Sequence, residues 1–146
     1  MKNVKWENIE PVDMFGVNTY CYYEDLSNGQ VLGVYFQHDC EDIFNCAVTI
    51  QDSIAKCDEW LCIGGIDEIT GRCGIEGLVR AYRIIKWFIE HRLPDNCRVI
   101  VQGYDKKGSA YRYLTRLGFE IDVHEMFYSF FKKSYFYTYK KKSSVS

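Results

Sequence analysis

Proline is scarce in this chain, with only Pro11 and Pro94 among 146 residues. No Pro/Ser-rich linker divides it and no repeat of fixed period runs along it, so the length fits one domain rather than a string of modules. No apolar run approaches the roughly 18–20 residues that a membrane-spanning helix needs. The opening stretch, residues 1–13, carries charge but no apolar core of the kind a secretory leader has. An excess of one charge sign is also missing. Against 20 Asp and Glu stand 18 Lys and Arg, a formal net charge of −2. That balance exerts no general pull on nucleic acid or on a membrane surface. Cys-x-x-Cys pairs and zinc-type His spacings are absent, so His38, Cys40, Cys46, Cys57 and Cys62 read as packing residues rather than metal ligands.

Apolar residues make up 47% of the chain and aromatics 16%, enough to build a sizeable core. The seven cysteines are an odd number, which predicts free thiols in a reducing compartment. Together these features predict a soluble cytoplasmic protein whose disorder is confined to its ends.

Residues 1–28 are the least patterned. Pro11 is placed to open a helix running toward Tyr23, and Ser27-Asn28-Gly29 is a turn signal. Strands are predicted over Gln30–Phe36, Asn45–Ile50 and Glu59–Ile63, spaced as an antiparallel meander. The period then changes. Ile75, Leu78, Val79, Tyr82, Ile85 and Ile89 recur at steps of three and four, predicting a helix over 75–93. Glu76, Arg80, Arg83 and Glu90 take its other face, with Glu76 one turn before Arg80 in the favourable order. Pro94 stops this helix. Arg98–Gln102 is a strand ended by Gly103. A second helix carries Ala110, Tyr113, Leu114 and Leu117 on one face, and Gly118 terminates it in the left-handed conformation. Two strands, Phe119–Val123 and Met126–Tyr139, close the domain as a hairpin turning near Asp122–Glu125. Residues 140–146 read as a basic flexible tail. The expected fold is α+β, a mixed and mostly antiparallel central sheet flanked by helices, with 98–102 lying parallel to 59–63 after a helical crossover.

The segment Trp60–Phe131 resembles the GCN5-related N-acetyltransferase family. The resemblance rests on the Gly-rich turn Gly71-Arg72-Cys73-Gly74-Ile75-Glu76-Gly77 leading into a long amphipathic helix, on the strand RVIVQ, and on the run from Ala110 to Glu120 with its Leu117-Gly118-Phe119. The run Arg112-Tyr113-Leu114 before Leu117-Gly118 looks closer to small acetyltransferase-like proteins of tailed bacteriophages. The resemblance implies a cofactor, acetyl-CoA, whose pyrophosphate sits on the amides of Arg72, Cys73, Gly74, Ile75, Glu76 and Gly77. It also implies a pantetheine arm entering between splayed parallel strands beside Ile63. A helix head with glycines in its approach suits such an anion, because its N–H groups are unpaired and point outward. The chain departs from the family pattern at three positions. Ile75 stands where the intermediate Gly falls, Leu114 where a general-acid Tyr is frequent, and Lys107 where an Asn is common.

The implied reaction is acetyl transfer to an amine on a small molecule or protein. Asp67 or Glu68 would be the base near the acceptor, and Tyr111, facing away from the Ala110/Leu114 stripe, the substitute acid. The alternative is a catalytically inactive protein of this fold, acting as a bacteriophage structural, assembly or host-inhibiting protein through a phage or host protein partner. Cys73 is the one thiol with a reason for a lowered pKa. The aromatic and basic run from Phe127 to Lys142 fits a half-buried edge strand with lysine gatekeepers better than a nucleic-acid platform, and such a strand can also pair with a second copy of the chain.

Overall fold

The computed structural model describes residues 5–62, 75–125 and 133–143. After a 3-10 turn at Trp6–Asn8 come four strands, β1 (Val12–Met14), β2 (Val17–Asp25), β3 (Val31–Cys40) and β4 (Ile43–Gln51). Helices α1 (Ile54–Cys62) and α2 (Glu76–His91) follow, then β5 (Arg98–Tyr104). Helix α3 (Asp105–Ala110) continues directly into a 3-10 helix, Tyr111–Leu117, before β6 (Glu120–Glu125) and β7 (Lys133–Lys140). All seven strands join one sheet in the order β1-β2-β3-β4-β5-β7-β6. Every neighbouring pair is antiparallel except β4–β5. The expected class therefore holds: a mostly antiparallel mixed sheet with one central parallel pair and flanking helices.

The parallel pair has a different first member from the one expected. Glu59–Cys62 is helical, and β5 pairs with β4 instead. Short apolar runs do not separate strand from helix, and here a cap decides. Ser53 Oγ accepts the Lys56 N–H at 3.2 Å and its carbonyl accepts from Cys57, which starts α1. Cys57, Trp60 and Leu61 then fall on one buried face. Gly33 lets that face close on the sheet, because a Cβ there would lie 3.3 Å from Cys57 Cβ.

The helix expected from Pro11 toward Tyr23 is a hairpin. Met14 pairs with Val17 across a two-residue turn, Phe15-Gly16, with φ of 56° and 86°. Two positive φ values are the signature of the turn that matches strand twist. Asp13 Oδ1 accepts the Gly16 N–H and braces it. Strand β2 hides its alternation because both its faces are covered. Tyr20 and Tyr22 pack toward α2, whereas Cys21 and Tyr23 pack toward α1.

The main core lies between the sheet and α2. Ala81, Ile84, Ile85, Phe88 and Ile89 are its buried stripe, and Phe88 stacks on Phe36 with ring centres 3.8 Å apart. Each Ile or Phe among them contributes about 1.5–3 kcal/mol by leaving water. The stripe is rotated from the one expected, since Ile75 is 73% exposed and Val79 38%. The second helix is shorter than expected, because α3 stops at Ala110 and the chain tightens into the 3-10 form. Gly118 terminates it with φ of 101°, as anticipated. Strand β6 runs through Asp122–Glu125, which pair with β7, so the expected turn there is a ladder. The β5–β7 ladder continues to Lys140, and Lys141 bonds the backbone at Asn96 and Cys97. No described helix is long and apolar enough to cross a membrane.

Candidate functional site

Strands β4 and β5 are in register only from Ile43–Arg98 to Cys46–Val101. Strand β4 continues to Gln51 and β5 to Tyr104 without pairing each other. The parted ends border a cavity of about 450 Å³, walled by Ala47 and Val48 on one side, Ile100 and Gln102 on the other, and Trp60 of α1. A packed helix flanks the gap on each side. On the β4 side, α1 packs beneath the sheet and is pinned by Asp58, whose Oδ1 accepts the Tyr23 hydroxyl at 2.5 Å and the Tyr35 hydroxyl at 2.7 Å. Burial first, and then the Asp58 hydrogen bond, hold both phenols protonated far above their ordinary range. On the β5 side, α3 leaves the sheet edge at once. Asp105 Oδ1 accepts the Lys133 N–H, and the buried Tyr137 hydroxyl donates to Gly108 O at 2.6 Å.

Lys107 crosses the opening. It stands on α3, directly after β5, yet its Nζ donates to Val48 O of β4 at 2.8 Å and lies 4.9 Å from the Trp60 ring centre. The ammonium thus occupies an edge carbonyl on the parted length of β4. Cys46 lies in the same wall. Burial pushes its thiol well up, and the Lys107 charge only partly opposes that.

Of the residues singled out in the sequence, Ile63, Asp67, Glu68, Arg72, Cys73 and Gly74 lie outside the described residues. Tyr111 does line the cavity, but it does not face away from the Leu114 stripe. It is 1% exposed, with its ring edge-on to Tyr137. In a 3-10 helix residues three apart eclipse, so Tyr111 and Leu114 share the inward face. At the head of α2, Ile75 is solvent-exposed and Gly77 buried. Glu76 turns its carboxylate to the N–H and hydroxyl of Ser27 and to Arg80 Nε at 3.6 Å. These contacts, the Ser27 hydroxyl first, lower its carboxyl below the usual range. The sequence flagged Lys107 only as a departure. Nothing marked Val48, which acts through its backbone, and Trp60 was read as part of a strand; the signal that could have placed it on a helix is Ser53 as a cap followed by apolar residues at steps of three and four. Among the described residues no three His, Cys, Asp or Glu side chains converge on a metal position.

Comparison of the chain with family models, with curated proteins and with solved structures returned no match.

Proposed function

We propose that the gap between β4 and β5 is a thioester-cofactor cleft and that the chain is an acyltransferase of the GCN5-related type, moving acetyl from acetyl-CoA to an amine. One observation carries this reading: the central parallel pair stops at Cys46–Val101 while both strands continue. A parted strand edge offers backbone groups to an amide-bearing arm such as pantetheine, and the α2 head offers backbone amides to a pyrophosphate. The tie of Glu76 to Ser27 and Arg80 moderates the negative charge beside that head. The amine would attack the thioester carbonyl, the C–S bond would break and the thiolate would take a proton from solvent, with Asp67 or Glu68 accepting the amine's proton.

Lys107 favours a second reading, an inactive protein of the same fold acting through a phage or host protein partner. A ligand entering the cleft has to displace its bond to Val48 O. A hydrogen bond to a charged group is worth, net of rehydration, about 1.5–3 kcal/mol. That handicap is roughly tenfold or more in affinity.

Thermal melts of the wild type and Lys107→Ala with millimolar acetyl-CoA separate the two. Stabilisation of both, with binding tighter by roughly tenfold or more in the variant, supports the acyltransferase, as does acetyl-CoA-dependent thiol release on adding amines. A response by the variant alone selects the inactive form. If neither responds, the cleft holds no such cofactor.

A further inference from the structure

We propose that a second cavity, at the opposite end of β5 from Tyr104, binds a compact ligand bearing two or more phosphates. This cavity, about 910 Å³, is walled by Arg98, Lys140 and Lys142, with Glu120, Thr138 and Tyr139 beside them. It shares no lining residue with the β4–β5 cleft, and the inference does not depend on acetyl transfer.

Nothing among the described residues pairs with the charge of Arg98, Lys140 or Lys142. Arg98 and Lys140 are direct partners in the β5–β7 ladder, so their side chains leave the same face of the sheet. Like charges directly opposite each other destabilise a sheet. Backbone pairing persists to Lys141, and alternation returns Lys142 to the side of Lys140. Lys141 also lines the cavity but leaves the opposite face of the sheet and is engaged within the fold, since its ammonium donates to Ile89 O and Leu93 O near the end of α2, both at 3.0 Å. The other three cations differ. Among the described residues Arg98, Lys140 and Lys142 make no ion pair or side-chain hydrogen bond, and Arg98 Nε is buried without an acceptor. Glu120 shares the cavity but pairs with none of them.

A buried guanidinium N–H is expensive to leave unpaired. A phosphate group matches the guanidinium fork with two parallel hydrogen bonds. Two lysines flanking that fork on a single face suit further charge on the same ligand. The chain's net charge of −2 and the concave shape of the site favour a compact polyphosphate over an extended nucleic-acid strand.

Isothermal titration of the full chain with inorganic tripolyphosphate, at fixed ionic strength, tests this. Saturable binding is expected. Lys140→Gln/Lys142→Gln, at two exposed positions that leave the core intact, should weaken it at least tenfold. Arg98→Gln should remove it if that variant folds. No saturable heat, or unchanged binding by the double lysine variant, would overturn the proposal. So would a single-stranded oligonucleotide that binds more tightly than tripolyphosphate and displaces it.

Discussion

At Asp58 two tyrosine hydroxyls converge on one carboxylate oxygen, from Tyr23 in β2 and Tyr35 in β3. Tyr35 is fully buried, so its hydroxyl has no water to turn to if the carboxylate is removed. Asp58→Ala should therefore cost about 3 kcal/mol or more in urea unfolding, from two lost charge-assisted bonds and a stranded donor. Asp58→Asn keeps an oxygen acceptor and should cost about half as much. Equal losses for the two variants would show that the charge rather than the acceptor matters. Residue roles of this kind were hard to read from the chain. Gly118 was legible because only its left-handed backbone ends the preceding helix cheaply. The inward turn of Tyr111 was not, because a 3.6-residue period was assumed where the backbone adopts three.

Between elements, the closest approach is that of α3 to β5 and β7. A Cβ on Gly108 would stand 2.3 Å from Tyr135 Cδ2 and 2.6 Å from Gly103 O. The oxygen belongs to a paired strand, so it cannot move aside without opening the ladder. Gly108→Ala should destabilise the protein by about 2–3 kcal/mol through overpacking. It should also shift Lys107, one residue earlier, off Val48. Gly29→Ala, at φ of 87° with open space around it, should cost only about 1 kcal/mol. Equal costs, measured by chemical denaturation, would mean that the α3 contact is loose. Among elements, α2, β5 and the 30–36 and 45–50 strands were visible in periodicity. Helix α1 and the β1–β2 hairpin were not. The first presents only nine residues of pattern, and the second turns on Phe15, a residue type that does not announce a positive φ.

For the whole molecule, two-sided burial of the sheet buries thiols and phenols together. Burial raises the Cys57 thiol from 9.0 to about 12 and Cys21 to about 11, and it raises the Tyr137 phenol to about 12. Raised folded-state values mean that the folded chain holds its protons longer than the unfolded one. The stabilisation is complete below about pH 9 and is lost as pH climbs through 11 and 12. The melting temperature should thus hold level from pH 7 to about 8.5 and fall steadily above about 9. A melting temperature unchanged through about pH 11, followed by far-ultraviolet circular dichroism, would contradict the burial of these groups.

The order of apolar and polar residues, with its caps and stops, was enough to determine the class of the protein: one mixed sheet, a long amphipathic crossover helix and a parallel strand after it. Local steric rules set those features, and they act over a few residues. Which strand would be β5's parallel partner, where the two would part, and that Lys107 would reach across to Val48 were settled only in three dimensions. Each depends on residues far apart in the chain, 59 positions in the case of Lys107 and Val48. They are brought together by packing α1 under one face of the sheet and α2 and α3 against the rest. No local preference encodes such a juxtaposition.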